Sequence, residues 1–258
     1  MAAPALEVHQ FPCLTDNYGY LVHDPATGCT ASIDSPDADA ILRELKARGW
    51  QLDYVLNTHH HADHAGGNRA LKAATGCRVV AARADADRIA GADILVDDGD
   101  TFSIGSQQAT VIATPGHTRA HICWWFAGSG AAFVGDTLFA MGCGRLFEGS
   151  APQMWQSLRR LMALPDDTLV YCAHEYTLKN GQFAVTVEPG NTALAARLAD
   201  VQAARAAGRP TVPTTIGLER ATNPFVRADS EGIRVALGLA GAPDLDVFAE
   251  TRRRKDRF

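Results

Sequence analysis

The stretch Thr58-His59-His60-His61-Ala62-Asp63-His64-Ala65-Gly66-Gly67 decides the fold and the chemistry expected of this chain. It has the pattern His-x-His-x-Asp-His and follows an apolar strand predicted for residues 54–57. Imidazole nitrogens and carboxylate oxygens are the ligands that suit zinc, iron or manganese. A polar loop rich in capping residues is the alternative, but chance is a poor explanation for so dense a pattern. The stretch therefore predicts a metal site.

The spacing within this turn divides the ligands into two sets. His59 and His61 are two residues apart in extended backbone, so their side chains point to the same side and can share one ion. Asp63 and His64 lie where the chain bends, and they can reach a second ion. The side chain of His60 is expected to face away. The turn thus offers two half-sites that need further ligands.

Three more candidate ligands each follow a predicted strand. They are His117 after residues 109–113, Asp136 after residues 131–134, and His174 after residues 169–173. A single histidine after a strand is more often a hydrogen-bonded structural residue. Four strand ends with matched ligand types are a stronger signal, because functional residues gather on the loops that follow rigid elements. Asp136 is the candidate bridging carboxylate.

These seven ligands resemble the motifs of the metallo-beta-lactamase superfamily in order and spacing. The closer likeness is to the glyoxalase II (hydroxyacylglutathione hydrolase) family, and it spans nearly the whole chain. It rests on LTDNYGYL at 14–21, GCGRLFEG at 142–149, HEYT at 174–177, VEPGN at 187–191, NPF at 223–225, and Arg252 with Lys255 and Asp256.

The resemblance implies an α/β (α+β) fold in two domains. A metallo-beta-lactamase αββα sandwich is expected over residues 1–174, and an all-helical substrate-binding domain over residues 175–258. Before residue 174, short strands alternate with helices predicted for residues 38–48, 65–74 and 152–163. After it, helices are predicted for residues 177–187, 192–207, 230–240 and 245–255.

The resemblance also implies an activity: hydrolysis of S-D-lactoylglutathione to D-lactate and glutathione, the second step of methylglyoxal detoxification. Two divalent ions, with zinc expected first and iron or manganese as alternatives, would lower the pKa of bound water to about 7 or below. The leaving thiolate, with a pKa near about 8.5, needs no strong general acid. The implied metal ligands are His59, His61, Asp63, His64, His117, Asp136 and His174. Asp63 and Asp136 are the candidate catalytic carboxylates.

Substrate contacts follow from the same resemblance. Phe147 stands where some relatives carry Tyr, which bears on one hydrogen bond to the tripeptide. The basic run at residues 252–255 has an alternative interpretation as a solvated helix end that complements the helix dipole. Asp34 is implied to orient the ligating rings, with an ordinary strand-end cap as the alternative. The implied substrate-binding residues are Arg145, Phe147, His174, Tyr176, Arg252 and Lys255.

Composition limits the class of protein. A chain of 258 residues with 47% apolar residues can bury a large core, and its net charge of -5 argues against a general nucleic-acid binder. No stretch reaches the roughly 18 apolar residues of a membrane helix, and residues 1–10 do not have the pattern of a signal peptide. Six cysteines without a Cys-x-x-Cys pair suit a reducing cytosol. The expectation is a cytoplasmic monomer that binds a small molecule and neither nucleic acid nor membrane.

Two alternatives from other classes stay open. An iron-dependent persulfide dioxygenase of the same superfamily would bind one metal ion per chain and consume oxygen. A non-catalytic binding module would be expected to have lost ligands, whereas all seven are present here. The ligand set itself does not discriminate among zinc, iron and manganese.

Overall fold

The computed structural model describes residues 5–258, and its contacts group the chain into two units, which are described one at a time. Unit 1 runs up to Ala113 and adds Ala120–Gly135; unit 2 comprises Thr114–Arg119 and Asp136–Phe258. The predicted domain boundary, between residues 174 and 175, comes from the family resemblance and not from contacts. It therefore stays a prediction. The expectation that residues 1–10 are not a signal peptide falls partly on residues 1–4, which lie outside the described residues.

Unit 1 contains two β-sheets. The strands of the first are β1 (Glu7–Cys13), β2 (Asn17–His23), β3 (Thr30–Ile33), β4 (Tyr54–Leu56), β5 (Arg78–Ala82) and β6 (Ala92–Val96), in that spatial order. Strands β1 to β3 pair antiparallel, and β3 to β6 pair parallel. The other strands of this unit, which pair antiparallel, are β7 (Thr101–Ile104), β8 (Gln107–Ala113), β9 (Ile122–Phe126) and β10 (Ala131–Gly135).

The two sheets of unit 1 pack face to face through aromatic side chains. The ring of Tyr20 on β2 lies 5.5 Å from that of Phe133 on β10, and Tyr54 on β4 lies 5.1 Å from Phe102 on β7. Such pairs contribute beyond the area that they bury. Because these strands are covered by other elements, their sequences are nearly continuous apolar runs.

Helices α1 (Ala38–Arg48) and α3 (Asn68–Thr75) cover the first sheet, where Ile41 and Leu71 are fully buried in its core. The predicted helix over residues 38–48 is confirmed. The helix predicted over 65–74 instead begins after a separate turn, α2 (Ala62–Ala65). The amide of Gly67 donates to Ser35 O at 2.9 Å rather than to the helix, and a Cβ there would lie 2.7 Å from that oxygen. The glycine therefore breaks the helix.

Unit 2 is mostly helical. Its elements are β11 (Leu138–Phe139), β12 (Gly142–Cys143), α4 (Ala151–Met162), β13 (Leu169–Cys172), α5 (Thr177–Val187), α6 (Thr192–Ala206), β14 (Thr214–Thr215), α7 (Ile216–Thr222), α8 (Glu231–Leu237) and α9 (Asp244–Arg257). The prediction for residues 177–187 is confirmed. Helix α8 is shorter than the predicted 230–240, because Gly238 adopts a left-handed φ of 73° and ends it. Helix α7 was not predicted, since seven residues with Gly217 inside show no clear periodicity.

Four buried side chains hold the hairpin of β11 and β12, and we call them the hairpin clasp. Their bonds to the hairpin backbone are Asn223 Nδ2 to Phe139 O (3.1 Å) and Gly142 O (2.9 Å), Asn180 Nδ2 to Ala140 O (3.2 Å), Arg252 Nη1 to Cys143 O (2.8 Å), and Met141 N to Glu219 Oε2 (2.8 Å). A buried backbone group left without such a bond costs about 1–3 kcal/mol. The clasp therefore fixes the shape of this hairpin.

Glu219 is the centre of the clasp. Its carboxylate is fully buried and also accepts from Arg197 Nη2 at 2.6 Å, Thr214 Oγ1 at 2.6 Å and Asn223 Nδ2 at 2.9 Å. Arg197 is itself only 8% exposed. A buried charge with this many partners is tolerated because each lone pair meets a donor.

Two findings bear on the expectations from composition. No helix within residues 5–258 combines the length and the apolar character needed to cross a membrane. The six cysteines are free thiols, and all except Cys29 are buried.

We predict that Glu219→Ala lowers the free energy of unfolding by about 3–5 kcal/mol, because it leaves the Arg197 guanidinium buried without a counter-charge. Chemical denaturation measures the loss. Glu250→Ala is the control, since Glu250 pairs with Arg253 and Arg254 at the surface, and such surface pairs contribute about 1 kcal/mol or less each. A loss from Glu219→Ala no larger than that of the control would contradict the clasp.

Candidate metal centre

The ligands predicted from the His-rich turn lie together in unit 1. His59 Nε2 and His61 Nδ1 are 3.0 Å apart, and Asp63 Oδ2 lies 3.7 Å from His64 Nε2. Two ligand atoms at the usual distance of about 2.0–2.1 Å from one tetrahedral zinc ion are separated by about 3.3 Å. Each pair is therefore close enough to share an ion.

The Asp34 carboxylate holds this turn from behind. Its Oδ1 accepts from Thr58 N at 2.7 Å, and its Oδ2 accepts from Thr58 Oγ1 at 2.7 Å and from His64 Nδ1 at 2.8 Å. Asp34 is only 6% exposed and adopts a φ of 57°, a left-handed conformation that aspartate tolerates better than most residues. The orienting role implied for Asp34 thus has specific hydrogen bonds behind it.

These hydrogen bonds determine which ring nitrogen carries the proton. A carboxylate only accepts, so His64 is protonated on Nδ1 and presents the lone pair of Nε2. The Thr58 hydroxyl donates its one proton to Asp34, so it accepts from His59 Nδ1 at 3.1 Å. The lone pair of His59 is then on Nε2, the atom that lies beside His61.

Other residues of unit 1 complete this picture. His60 faces away as predicted: its Nδ1 lies 3.2 Å from Asp85 Oδ2, and its Nε2 is 3.3 Å from Arg88 Nη1. Asn17, from the LTDNYGYL segment, donates to Asp63 Oδ2 at 3.2 Å. The sequence alone does not indicate this contact, because the two residues lie 46 positions apart.

His121 is a buried residue that the sequence did not single out. Its side chain is fully buried before β9, and its ring stacks on that of His59 with centroids 4.9 Å apart and planes 28° apart. Nothing distinguishes a lone histidine before a strand from a structural one, so no local signal could have identified this contact.

The remaining three predicted ligands lie together in unit 2. His117 Nε2 is 3.3 Å from Asp136 Oδ2, and His174 Nε2 is 3.4 Å from Asp136 Oδ1. The two oxygens of one carboxylate therefore face different imidazoles, which is the arrangement of a carboxylate able to bridge two ions. His117 Nδ1 donates to Arg145 O at 2.9 Å, which leaves the lone pair of this ring on Nε2 as well.

The donors within each unit are of types that fit a divalent metal ion. They are imidazole nitrogens and carboxylate oxygens, the ligand types of zinc, iron and manganese sites. Metal-binding histidines usually donate their other N–H to a carboxylate or carbonyl, and His64 and His117 do so here. The three ligands of unit 2 are at most 7% exposed.

Three predicted substrate residues border the ligands of unit 2. Arg145 offers its carbonyl to His117 while its own side chain is exposed. Phe147 is 62% exposed, and its ring lies 5.2 Å from that of His117. Tyr176 stacks on His174 with centroids 4.8 Å apart and planes 3° apart. A molecule bound beside these ligands would have these side chains within reach.

Lys255 and Arg252 on α9 have different surroundings. Lys255 Nζ donates to Lys179 O at 3.1 Å, and burial followed by the charges of Arg252, Lys179 and Arg145 lowers the pKa of its ammonium to about 8. Arg252 is only 4% exposed and is bound to the clasped hairpin and to Asp256, at 2.9 Å. The Arg252 guanidinium thus already has hydrogen-bond and ion-pair partners within the protein.

We predict that Asp34→Asn weakens zinc binding about tenfold to a hundredfold, the usual effect of losing a group that orients a ligand. Asparagine keeps the shape but cannot accept all three hydrogen bonds of the carboxylate. Competition with a chromophoric chelator measures the affinity. Asp37→Asn is the matched control, because Asp37 only caps α1 and asparagine caps equally well. Unchanged zinc affinity in Asp34→Asn would contradict the orienting role.

Two family models match consecutive parts of the chain. Residues 18–174 match the metallo-beta-lactamase superfamily, and residues 175–258 match the C-terminus of hydroxyacylglutathione hydrolase. A solved structure, ETHE1 from Myxococcus xanthus, aligns with a TM-score of 0.67 and 29% identity over 98% of this chain and 100% of that chain. The predicted fold class, a metallo-beta-lactamase fold with a C-terminal helical domain, is confirmed.

Curated relatives match over the full length. The hydroxyacylglutathione hydrolase of Methylococcus capsulatus is 57% identical, and that of Maricaulis maris is 56% identical. Each alignment spans 98% of this chain and 99% of the relative. The chain therefore belongs to the hydroxyacylglutathione hydrolase family of the metallo-beta-lactamase superfamily.

Proposed function

We propose that the protein hydrolyses S-(2-hydroxyacyl)glutathione thioesters, such as S-D-lactoylglutathione, to glutathione and a 2-hydroxy acid such as D-lactate. The observation that carries this proposal is the double role of Arg145. Its carbonyl accepts from the predicted ligand His117, and its guanidinium is one of three charges that, after burial, lower the pKa of Lys255. Arg145 thus lies between the residues proposed to act on the thioester carbonyl and those proposed to bind the anionic glutathione part. The names of the full-length relatives support the same reaction.

We propose that the seven predicted ligands hold two divalent ions, zinc in the first instance, with iron or manganese as alternatives. When bound, the ions supply Lewis-acid activation of water and of the thioester carbonyl. The chain contributes fixed lone pairs: His59 and His64 through Asp34, and His117 through the carbonyl of Arg145. Asp136 contributes one oxygen toward each of two imidazoles.

Proton handling requires little from the chain. A thiolate leaves without protonation because its pKa lies near about 8.5, whereas an amine leaving group would need a proton donor. The Asp63 carboxylate, whose Oδ2 faces His64 and accepts from Asn17, is the candidate acceptor for the proton of the attacking water. Its side chain is 40% exposed.

The predicted substrate residues divide into two groups. Phe147, His174 and Tyr176 border the reacting acyl group with aromatic surfaces, while Arg145 and Lys255 attract the carboxylates of the tripeptide. Arg252 acts mainly by placing the hairpin that leads to Arg145, and its positive charge adds to the attraction.

We further propose a cytoplasmic monomer. The six free thiols fit a reducing compartment, and a single chain carries all seven ligands. The dioxygenase and binding-module alternatives are not favoured, since relatives more than 50% identical are named as hydrolases.

The experiment that tests this function compares leaving groups on the purified, zinc-loaded protein. S-D-lactoylglutathione should be hydrolysed readily and a beta-lactam should not, and no oxygen should be consumed. Asp136→Asn should lose both ions and at least about a hundredfold in kcat/KM, as elemental analysis and a thiol-release assay would show. Asp166→Asn, on the exposed ion pair with Arg220, is the control. Full metal content and activity in Asp136→Asn, or comparable lactam hydrolysis, would refute the proposal.

The pKa of Lys255 predicts how binding depends on pH. Because the free protein holds this pKa at about 8, below the usual 10.5, the ammonium loses its charge as pH rises through 8. Binding of S-methylglutathione, which has no thiol to titrate, should weaken by up to about tenfold between pH 7 and 9. Calorimetry measures it, with Lys255→Met expected to bind more weakly and with less pH dependence. Equal affinity of the unaltered protein at both pH values would speak against the contact.

A further inference from the structure

Lys179 lies beside the predicted substrate residues but is not among them. It is in the first turn of α5, it is exposed, and its backbone oxygen accepts the hydrogen bond from Lys255 Nζ at 3.1 Å. Within residues 5–258, its ammonium group has neither a hydrogen bond nor an ion pair with the protein. An exposed cation in this position can therefore bind a ligand without breaking an existing contact.

The side chain of Lys179 is on the face of α5 that is turned toward α9. Lys179 and Phe183 are four residues apart, so they share one face of the helix. Lys255 Nζ lies 5.3 Å from the centre of the Phe183 ring and 5.1 Å from that of Phe258. The bond from Lys255 Nζ to Lys179 O places the two lysines next to each other on the surface of unit 2.

Asn180, the residue after Lys179, contacts the hairpin of β11 and β12. Asn180 Nδ2 donates to Ala140 O at 3.2 Å, and a Cβ on Gly142 would lie 2.4 Å from the same nitrogen. The start of α5 is thus in close contact with the hairpin, from which the chain continues to Arg145.

Four positive side chains, Arg145, Lys179, Arg252 and Lys255, form what we call the cationic cluster, in which Arg252 is also paired with Asp256 at 2.9 Å. The other three charges act together with burial to lower the pKa of Lys255. The chain as a whole has a net charge of -5, so this accumulation is local. Like charges held together disfavour each other in the free protein, and such a cluster is typical of a site for an anion.

We propose that Lys179 is a specificity-determining residue that binds, together with Lys255, a carboxylate of the substrate's tripeptide. This inference rests on the proposed function, because it takes the glutathione part of the thioester as the ligand. The tripeptide carries two carboxylates far from the reacting carbonyl. Contacts to them are equal in the ground and transition states, so they act on KM rather than on kcat.

Lys179→Met tests the proposal, since it removes the charge and keeps the length and the helix propensity. KM for S-D-lactoylglutathione should rise about tenfold while kcat stays within about twofold, the expected loss of one charge-assisted hydrogen bond. Lys179→Arg, which keeps the charge, should restore KM to within about twofold. Lys46→Met is the matched control, because Lys46 is exposed in the last turn of α1 and its loss changes the net charge equally.

A second substrate separates binding from helix damage. A lactoyl thioester of N-acetylcysteamine has no carboxylate on its carrier, so its kcat/KM should change far less than that of the glutathione thioester. An unchanged KM for the glutathione thioester, or equal losses on both substrates, would overturn the role of Lys179. If the unaltered protein does not prefer the glutathione thioester to the small one, the proposed function itself fails.

Discussion

Hydrogen bonds to one buried carboxylate, that of Asp34, hold the turn that carries the first four predicted ligands. Through Thr58 and directly, this carboxylate sets the protonated nitrogen of two imidazoles. A histidine with the wrong tautomer would present an N–H instead of a lone pair and could not bind a metal ion. The chemistry proposed for the site depends on this constraint before any ion is bound.

In unit 2, a different set of hydrogen bonds orients the predicted ligand His117. There the hairpin clasp fixes the chain on the way to Arg145, and the carbonyl of Arg145 accepts from His117. Because the clasp also includes Arg252, the residue that orients a ligand and the cations proposed to bind the tripeptide depend on the same hairpin. The proposed metal binding and the proposed substrate recognition thus depend on one set of buried hydrogen bonds.

The sequence predicted what short spacing determines. The separation of His59 and His61, the exclusion of His60 and the helix over residues 38–48 all follow from local periodicity. The hairpin clasp could not be predicted, because Glu219 and Met141 are 78 residues apart and nothing local marks their contact. The burial of Arg252 was hidden for a similar reason, since a basic run at a helix end gives no sign of a partner 109 residues away.

A long-range 1H–15N correlation spectrum of the zinc-loaded protein, labelled at histidine, is the most direct measurement of the ligand tautomers. It reports for each ring which nitrogen carries a proton and which carries the metal. The hydrogen bonds to Asp34, Thr58 and Arg145 predict a proton on Nδ1 and zinc on Nε2 for His64, His59 and His117. A proton on Nε2 in any of these three rings would contradict the claim that the fold itself sets the ligands for the metal.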